Sequence, residues 1–377
     1  QNSEPTTKNV SMVTLGRESR GLSQNQLAQK LHINQGYLSK VEAGLLSVSD
    51  ELLVRLSHEL NYPPHFFSQE GGPIGVGVTE VFHRMQKDVP KKHLDMVYAQ
   101  LDLRLRHIRA LLRAVDIRCQ VPHLDVDEYD GHVEDIARLV RAIWQLPRGP
   151  IDDLTQTLED AGVLVVPFDF GTKHIDAMSR WLPGLPPVFF VNPTSPKDRL
   201  RLTTAHELGH MVMHTLPHPE MEQQANRFAA EFLMPEWEIR PDLIRVTLPK
   251  LAVLKRYWKT SMNALLKRAE TLGAITANQV RYLWAQMGSA GYRTQEPIEL
   301  DVGGEVPTLL RELVEAHLND LDYSPADLAQ LIPLNKDELW EVYLKPLNQS
   351  SMYVVEQSLK PLEDTSNEDE RQPIRFR

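Results

Sequence analysis

The chain has 377 residues, 42% hydrophobic and 24% charged, with a formal net charge of −10 and one cysteine. A soluble globular protein of roughly two to four domains is expected. The composition excludes a uniformly basic surface and intramolecular disulfides, and no apolar run approaches the roughly 20 residues that span a bilayer. The expectation is a cytoplasmic protein without a membrane partner, with Cys119 a lone thiol in a reducing compartment.

Residues 1–11 are polar and read as a tail. A first helix is expected from Met12 to Arg20, stopped at Gly21, and a second, capped by Ser23, from Gln24 to Leu31 with Leu27 and Ala28 inward. After the turn His32-Ile33-Asn34, a third runs from Gln35 to Ala43 and ends at Gly44. Asp50–Leu60 gives a fourth, with Leu52, Leu53, Leu56 and Leu60 on one face.

The runs Arg20-Gly21-Leu22-Ser23-Gln24, Leu27-Ala28-Gln29-Lys30-Leu31 and Leu38-Ser39-Lys40-Val41-Glu42-Ala43-Gly44 resemble the Xre or phage-repressor family of DNA-binding domains over residues 12–68, within an expected domain 12–70. The resemblance implies a third helix in the major groove of a double-stranded operator. Asn34, Gln35, Tyr37 and Lys40 would reach base edges, while Ser23, Gln24 and the second helix's N-terminus would hold phosphate. It also implies an Arg17–Glu42 scaffold pair and a homodimer for useful affinity. The segment holds 5 Lys/Arg against 6 Asp/Glu, so a protein-docking module is the competing reading.

Gly71-Gly72-Pro73-Ile74-Gly75-Val76-Gly77 marks a flexible linker, 71–81. A helical connecting region, 82–149, follows. Its first part, 82–118, carries 9 Lys/Arg against 4 Asp/Glu, with Leu94, Val97, Leu101, Leu105, Ile108 and Leu112 at helical spacing. That pattern is an amphipathic helix with a basic outer face, either simply solvated or facing nucleic acid. His132–Gln145 is a second helix.

Residues 150–295 carry the chemistry. A helix over 151–161 ends at Gly162, and strands are expected at Val163–Phe168, Asp176–Leu182 and Val188–Val191. They form a small α/β sheet whose exposed edge suits strand addition by a peptide. Ser195-Pro196-Lys197-Asp198 offers a cap and a first-turn proline for a helix from Leu200 to His214. Within it His206-Glu207-Leu208-Gly209-His210 sets two imidazoles about 40° apart on one face, able to grip one metal ion. The glutamate between them is the natural general base for an attacking water. A third ligand should come from the next helix, 222–233, stopped by Pro235. Glu222 is the choice, with Glu231 (a solvated or salt-bridged residue) and Glu220 (a loop residue) as rivals. Asn226, one turn beyond Glu222, would bond the free nitrogen of a ligand histidine. His214, about 80° round from His206, reads as a pocket-wall or surface residue, and His218, between two prolines, as a loop residue.

Thr204-Ala205-His206-Glu207-Leu208-Gly209-His210 and Ala225-Asn226-Arg227-Phe228-Ala229-Ala230-Glu231-Phe232-Leu233-Met234-Pro235 resemble the ImmA/IrrE metallopeptidases. In that family a glutamate usually stands just before the Ala-Asn pair, where this chain has Gln224. The resemblance implies a gluzincin-like Zn2+ endopeptidase, with Mn2+ as the alternative ion. It would cleave a repressor protein, relieving repression of a stress, defence or mobile-element operon. Tyr257, His214 and Arg268 are candidates for stabilising the oxyanion.

Two helices follow at Leu251–Lys259 and Ser261–Leu272, then a helical C-terminal region, 296–350, with helices at Leu309–Leu318 and Pro325–Ile332. Residues 351–377 are expected to be mostly disordered. The fold expectation is multidomain and mainly α: a four- or five-helix helix-turn-helix domain, a central α/β zincin-like metallopeptidase domain with a small sheet, and a helical C-terminal region. The competing function is a non-catalytic helix-turn-helix regulator whose zinc site is structural or silent. A third possibility joins the two, with cleavage of the chain itself between residues 68 and 82.

Overall fold

The computed structural model describes residues 10–69, 89–216, 219–293, 295–300, 303–345 and 374–375. The expected linker 71–81, residues 1–9 of the expected tail, His218, positions 70–82 of the self-cleavage window and 351–373 of the C-terminal tail lie outside them.

In chain order the helices and strands are α1 (Val10–Ser19), α2 (Gln24–Lys30), α3 (Gln35–Glu42), α4 (Asp50–Leu60), α5 (Lys91–Leu111), β1 (Val115–Asp116), α6 (Val133–Ile143) and α7 (Leu154–Asp160). Then come β2 (Leu164–Pro167), β3 (Ala177–Arg180), β4 (Val188–Val191), α8 (Lys197–Met213), α9 (Met221–Leu233) and α10 (Glu236–Ile239). The remainder are α11 (Leu248–Trp258), α12 (Met262–Thr271), α13 (Ala277–Ser289), α14 (Leu309–Asn319), α15 (Pro325–Leu331), α16 (Lys336–Leu339) and β5 (Ile374–Arg375). The described chain is therefore mainly helical with a small sheet, as the sequence patterns require.

Contacts divide the chain into two compact units that do not follow a linear cut. The first holds the described residues within 1–75, 86–117 and 311–377, so α5 and α14–α16 join α1–α4. The second holds those within 118–310. The connecting region 82–149 is thus split between the units, and most of the region 296–350 lies in the first.

In the first unit, Ser23 caps α2 with a capping box shared with Gln26, and Asn34 caps α3 by accepting from Gly36 N. Arg17 makes a two-pronged pair with Glu42, Nε–Oε1 2.7 Å and Nη2–Oε2 3.0 Å, tying α1 to the end of α3. The expected basic outer face of α5 forms only in part, with Lys91, Lys92 and Arg109 exposed. Val97, Ala99, Leu101, Leu103, Leu105, His107, Ile108 and Leu111 are all buried, so the helix is covered on several sides. Arg106 turns back on Asp102, Arg104 lies over the Tyr343 ring, and His107 Nδ1 meets the Tyr343 hydroxyl at 2.9 Å. Burial holds the His107 imidazole in its neutral form, its pKa pushed well below the ordinary histidine value.

In the second unit the sheet order is β2-β4-β3, with β2 parallel and β3 antiparallel to β4. Short runs of apolar residues make β2 and β4, and Phe189 and Phe190 of β4 are fully buried. α8 packs against β3 and β4 and also against α9. That explains why nearly every residue from Thr204 to Met213 is buried. Gly209 permits the close approach of α9, because a Cβ there would stand 3.0 Å from Phe228 Cδ1 and 3.2 Å from Phe228 Cβ. Ser195 does not cap α8. Its hydroxyl donates to Asp176 at 2.6 Å, and Pro196 takes the cap position, with the helix starting at Lys197. α7 starts three residues after the expected 151, at Leu154, where Asp153 accepts from Gln156 N.

Candidate metal centre and DNA-binding face

Because α8 and α9 pack tightly, three donor side chains from two helices converge. His206, His210 and Glu222 offer ligand atoms that all lie within 4.8 Å of one another. Glu222 stands 3.3 Å from His210 Nε2 and 3.6 Å from His206 Nε2. Its rivals lie elsewhere: Glu220 is exposed at the N-cap of α9, and Glu231 is fully buried between Arg138 and Arg268. Glu231 is therefore salt-bridged and not solvated.

The outer nitrogens of both histidines are engaged. Asn226 Oδ1 lies 3.0 Å from His206 Nδ1, so Nδ1 carries the proton and Nε2 keeps its lone pair. His210 Nδ1 lies 3.0 Å from His214 Nδ1, and His214 Nε2 lies 2.8 Å from Gln224 Oε1. An amide oxygen accepts, so His214 donates from Nε2 and its Nδ1 accepts the proton on His210 Nδ1. That leaves His210 Nε2 bare as well. The two Nε2 atoms are 2.9 Å apart, and facing lone pairs at that distance repel unless a positive centre lies between them. Tetrahedral zinc with Zn–N near 2.0–2.1 Å holds ligand nitrogens about 3.3 Å apart, so the donor set fits a small divalent ion. Burial and the neighbouring His210 lower the His206 pKa, keeping the imidazole neutral and able to ligate.

His214 and Gln224 form a relay that spacing alone did not reveal: His214 lies outside the donor trio but bonds to one of its members, His210. Replacing His214 or Gln224 by Ala should weaken metal binding by roughly 10- to 100-fold, measured by competition with a chelating dye. Unchanged affinity would show that His210 is oriented without the relay.

Glu207, about 100° further round α8 from His206, is 3% exposed and accepts a hydrogen bond from the Ser179 hydroxyl. Ser179 is an ordinary strand residue in the sequence, and nothing there marks it. The sheet edge expected to lie open is covered: all four residues of β3 are buried, and Arg180 Nη1 donates to the Ser179 carbonyl at 2.8 Å. Of the oxyanion candidates, Arg268 donates to Glu231 and to the Met234 carbonyl, Tyr257 is half exposed and edge-on to Trp258, and His214 belongs to the relay.

On the helix-turn-helix, Asn34, Gln35, Tyr37 and Lys40 are exposed along α3. Asn34 Oδ1 caps its own helix, leaving the amide NH2 outward-capable, and the Ser23 hydroxyl accepts from Gln26 N while its proton stays available. Gln35 donates to Gln24, and Gln24 donates to Glu42, so these amides continue the Arg17–Glu42 scaffold to the surface.

The fold and these residues define a helix-turn-helix domain joined to a metallopeptidase-type domain. Residues 16–67 match the family described as "Helix-turn-helix", and residues 158–270 match the "IrrE N-terminal-like domain". The two matches fall on the two parts of the fusion that the motifs imply, Xre-like and ImmA/IrrE-like. No curated protein matches the chain. Among the described residues no helix is long and apolar enough to cross a membrane.

Proposed function

We propose that this protein is a transcriptional regulator that acts by metal-dependent proteolysis, cleaving a repressor or its own chain and thereby relieving repression of an operon that its helix-turn-helix recognises. The observation that supports this most is the convergence of two bare imidazole nitrogens and the Glu222 carboxylate beside a buried carboxylate, Glu207. A divalent ion held by His206, His210 and Glu222, zinc or in its place manganese, supplies Lewis-acid polarisation of the scissile carbonyl and acidifies water. Glu207 takes the proton of the attacking water and returns it to the leaving amine. Ser179 fixes which carboxylate oxygen is engaged, and Asn226 and the His214–Gln224 relay hold the imidazoles in the ligating tautomer. On DNA, a homodimer would place two copies of α3 in successive major grooves.

The purified full chain, incubated with candidate repressors and either zinc or manganese, should cut one of them at a single site, and a chelator should stop it. Intact-mass measurement of the same samples reports self-cleavage. Bound metal with every repressor and the chain itself intact would favour the non-catalytic regulator.

A further inference from the structure

The helix-turn-helix match ends at residue 67, yet the first turn of α5 belongs to the same compact unit and lies against the start of α2. Met96 packs on Gly21, where the positive φ of 64° disfavours any side chain and a Cβ would stand 3.0 Å from Met96 Sδ. Gln100 Nε2 donates to the Ser19 carbonyl at 2.9 Å. These contacts fix α5 on α1 and carry Lys92 to α2, where its ammonium donates to Gln26 Oε1 at 3.0 Å. Gln26 is the capping-box residue of α2, so this cation stands beside Ser23 and Gln24. Lys91 and Lys92 are both exposed. A cavity of about 390 Å3 opens between the two helices, lined by Ser23, Gln24, Asn25, Gln35, Lys92 and Asp95 among others. Glu18 also borders it but is paired with Arg17 at 3.2 Å.

The rest of α5's basic charge does not gather here. Arg106 is paired with Asp102 and Arg104 lies over Tyr343. The lysines of the first turn are instead outward; neither α2 nor α5 has an acidic residue in its first turn, and Asp95 follows one turn on. The helix-turn-helix itself carries no excess of basic residues, so a duplex bound through α3 would need cations from outside it.

We propose that the first turn of α5 is part of the DNA contact surface, with Lys91 and Lys92 each neutralising a backbone phosphate next to the one held at the start of α2. The inference rests on the DNA-binding reading above. Its test is binding of the full chain to a mixed-sequence DNA duplex, followed by fluorescence anisotropy between about 50 and 200 mM salt. The double variant Lys91→Ala/Lys92→Ala should lower the slope of log K against log salt by about 1.8, close to 0.9 per phosphate. Its loss of affinity should be the same on duplexes of different sequence, and Lys92→Arg should keep the wild-type slope. An unchanged slope, with or without a fall in affinity, would assign the lysines to the scaffold and overturn the inference while wild-type binding left the DNA reading standing. A wild-type chain that binds no duplex at the lowest salt would overturn both.

Discussion

A Glu207→Gln protein is expected to bind its divalent ion as tightly as the wild type and to cut its substrate about 10²- to 10⁴-fold more slowly. The amide keeps the size and hydrogen-bonding reach of the carboxylate but cannot take a proton from water at neutral pH. Glu207 is not among the three converging ligand residues, so its replacement leaves the donor set intact. The Ser179 hydroxyl can still donate to the amide oxygen, so local packing survives. Metal content by elemental analysis and single-turnover cleavage of an identified substrate separate the two effects. A variant that loses metal and activity together would place Glu207 in metal binding, and one that cuts at the wild-type rate would remove it from the chemistry. Ser179→Ala is a milder companion, since it removes one hydrogen bond to the carboxylate without removing the base; its rate should fall by less than that of Glu207→Gln.

The parts of this molecule set by local rules were legible in the sequence. The start of α2 follows from Ser23 with Gln26 three residues on, and the two imidazoles of α8 share a face because their spacing is one helical turn. The parts set by distant chain were not. Periodicity gave α5 one apolar face, but Leu103 and His107 are buried too, and His107 meets Tyr343 from 236 residues further on. Glu222 could be preferred to Glu220 and Glu231 from the sequence, but its approach to both imidazoles comes from the packing of α9 on α8. Ser195 offered a sound cap, yet Asp176, just before β3, took its hydroxyl. Gln224 looked like a departure from a family pattern, and its meaning emerged only with His214 beside it.

Glu231 illustrates the same lesson in energetic terms, and its replacement should have the largest effect on stability of any single change here. Its carboxylate has no exposure and accepts from Arg138 Nη1 at 2.8 Å, from Arg268 Nη2 and from Glu236 N at 3.2 Å. Arg268 also donates to the Met234 carbonyl, and Arg141 to the Phe232 carbonyl, so cations gather at the negative end of α9. Glu231 therefore joins α9 to α6 and α12. Glu231→Ala would strand the buried Arg268 without its counter-ion, a loss of about 3–5 kcal/mol by the usual cost of breaking one side of a buried pair. Chemical denaturation should show a lower midpoint with an unchanged slope. Because α9 also presents Glu222 and Asn226, its weakening should lower metal affinity, and added zinc should restore part of the lost stability. The double variant Glu231→Ala/Arg268→Met should be more stable than Glu231→Ala alone, since it removes the stranded charge along with its partner. A loss below about 1 kcal/mol for Glu231→Ala would put the pair in the class of solvated surface ion pairs and deny it this role.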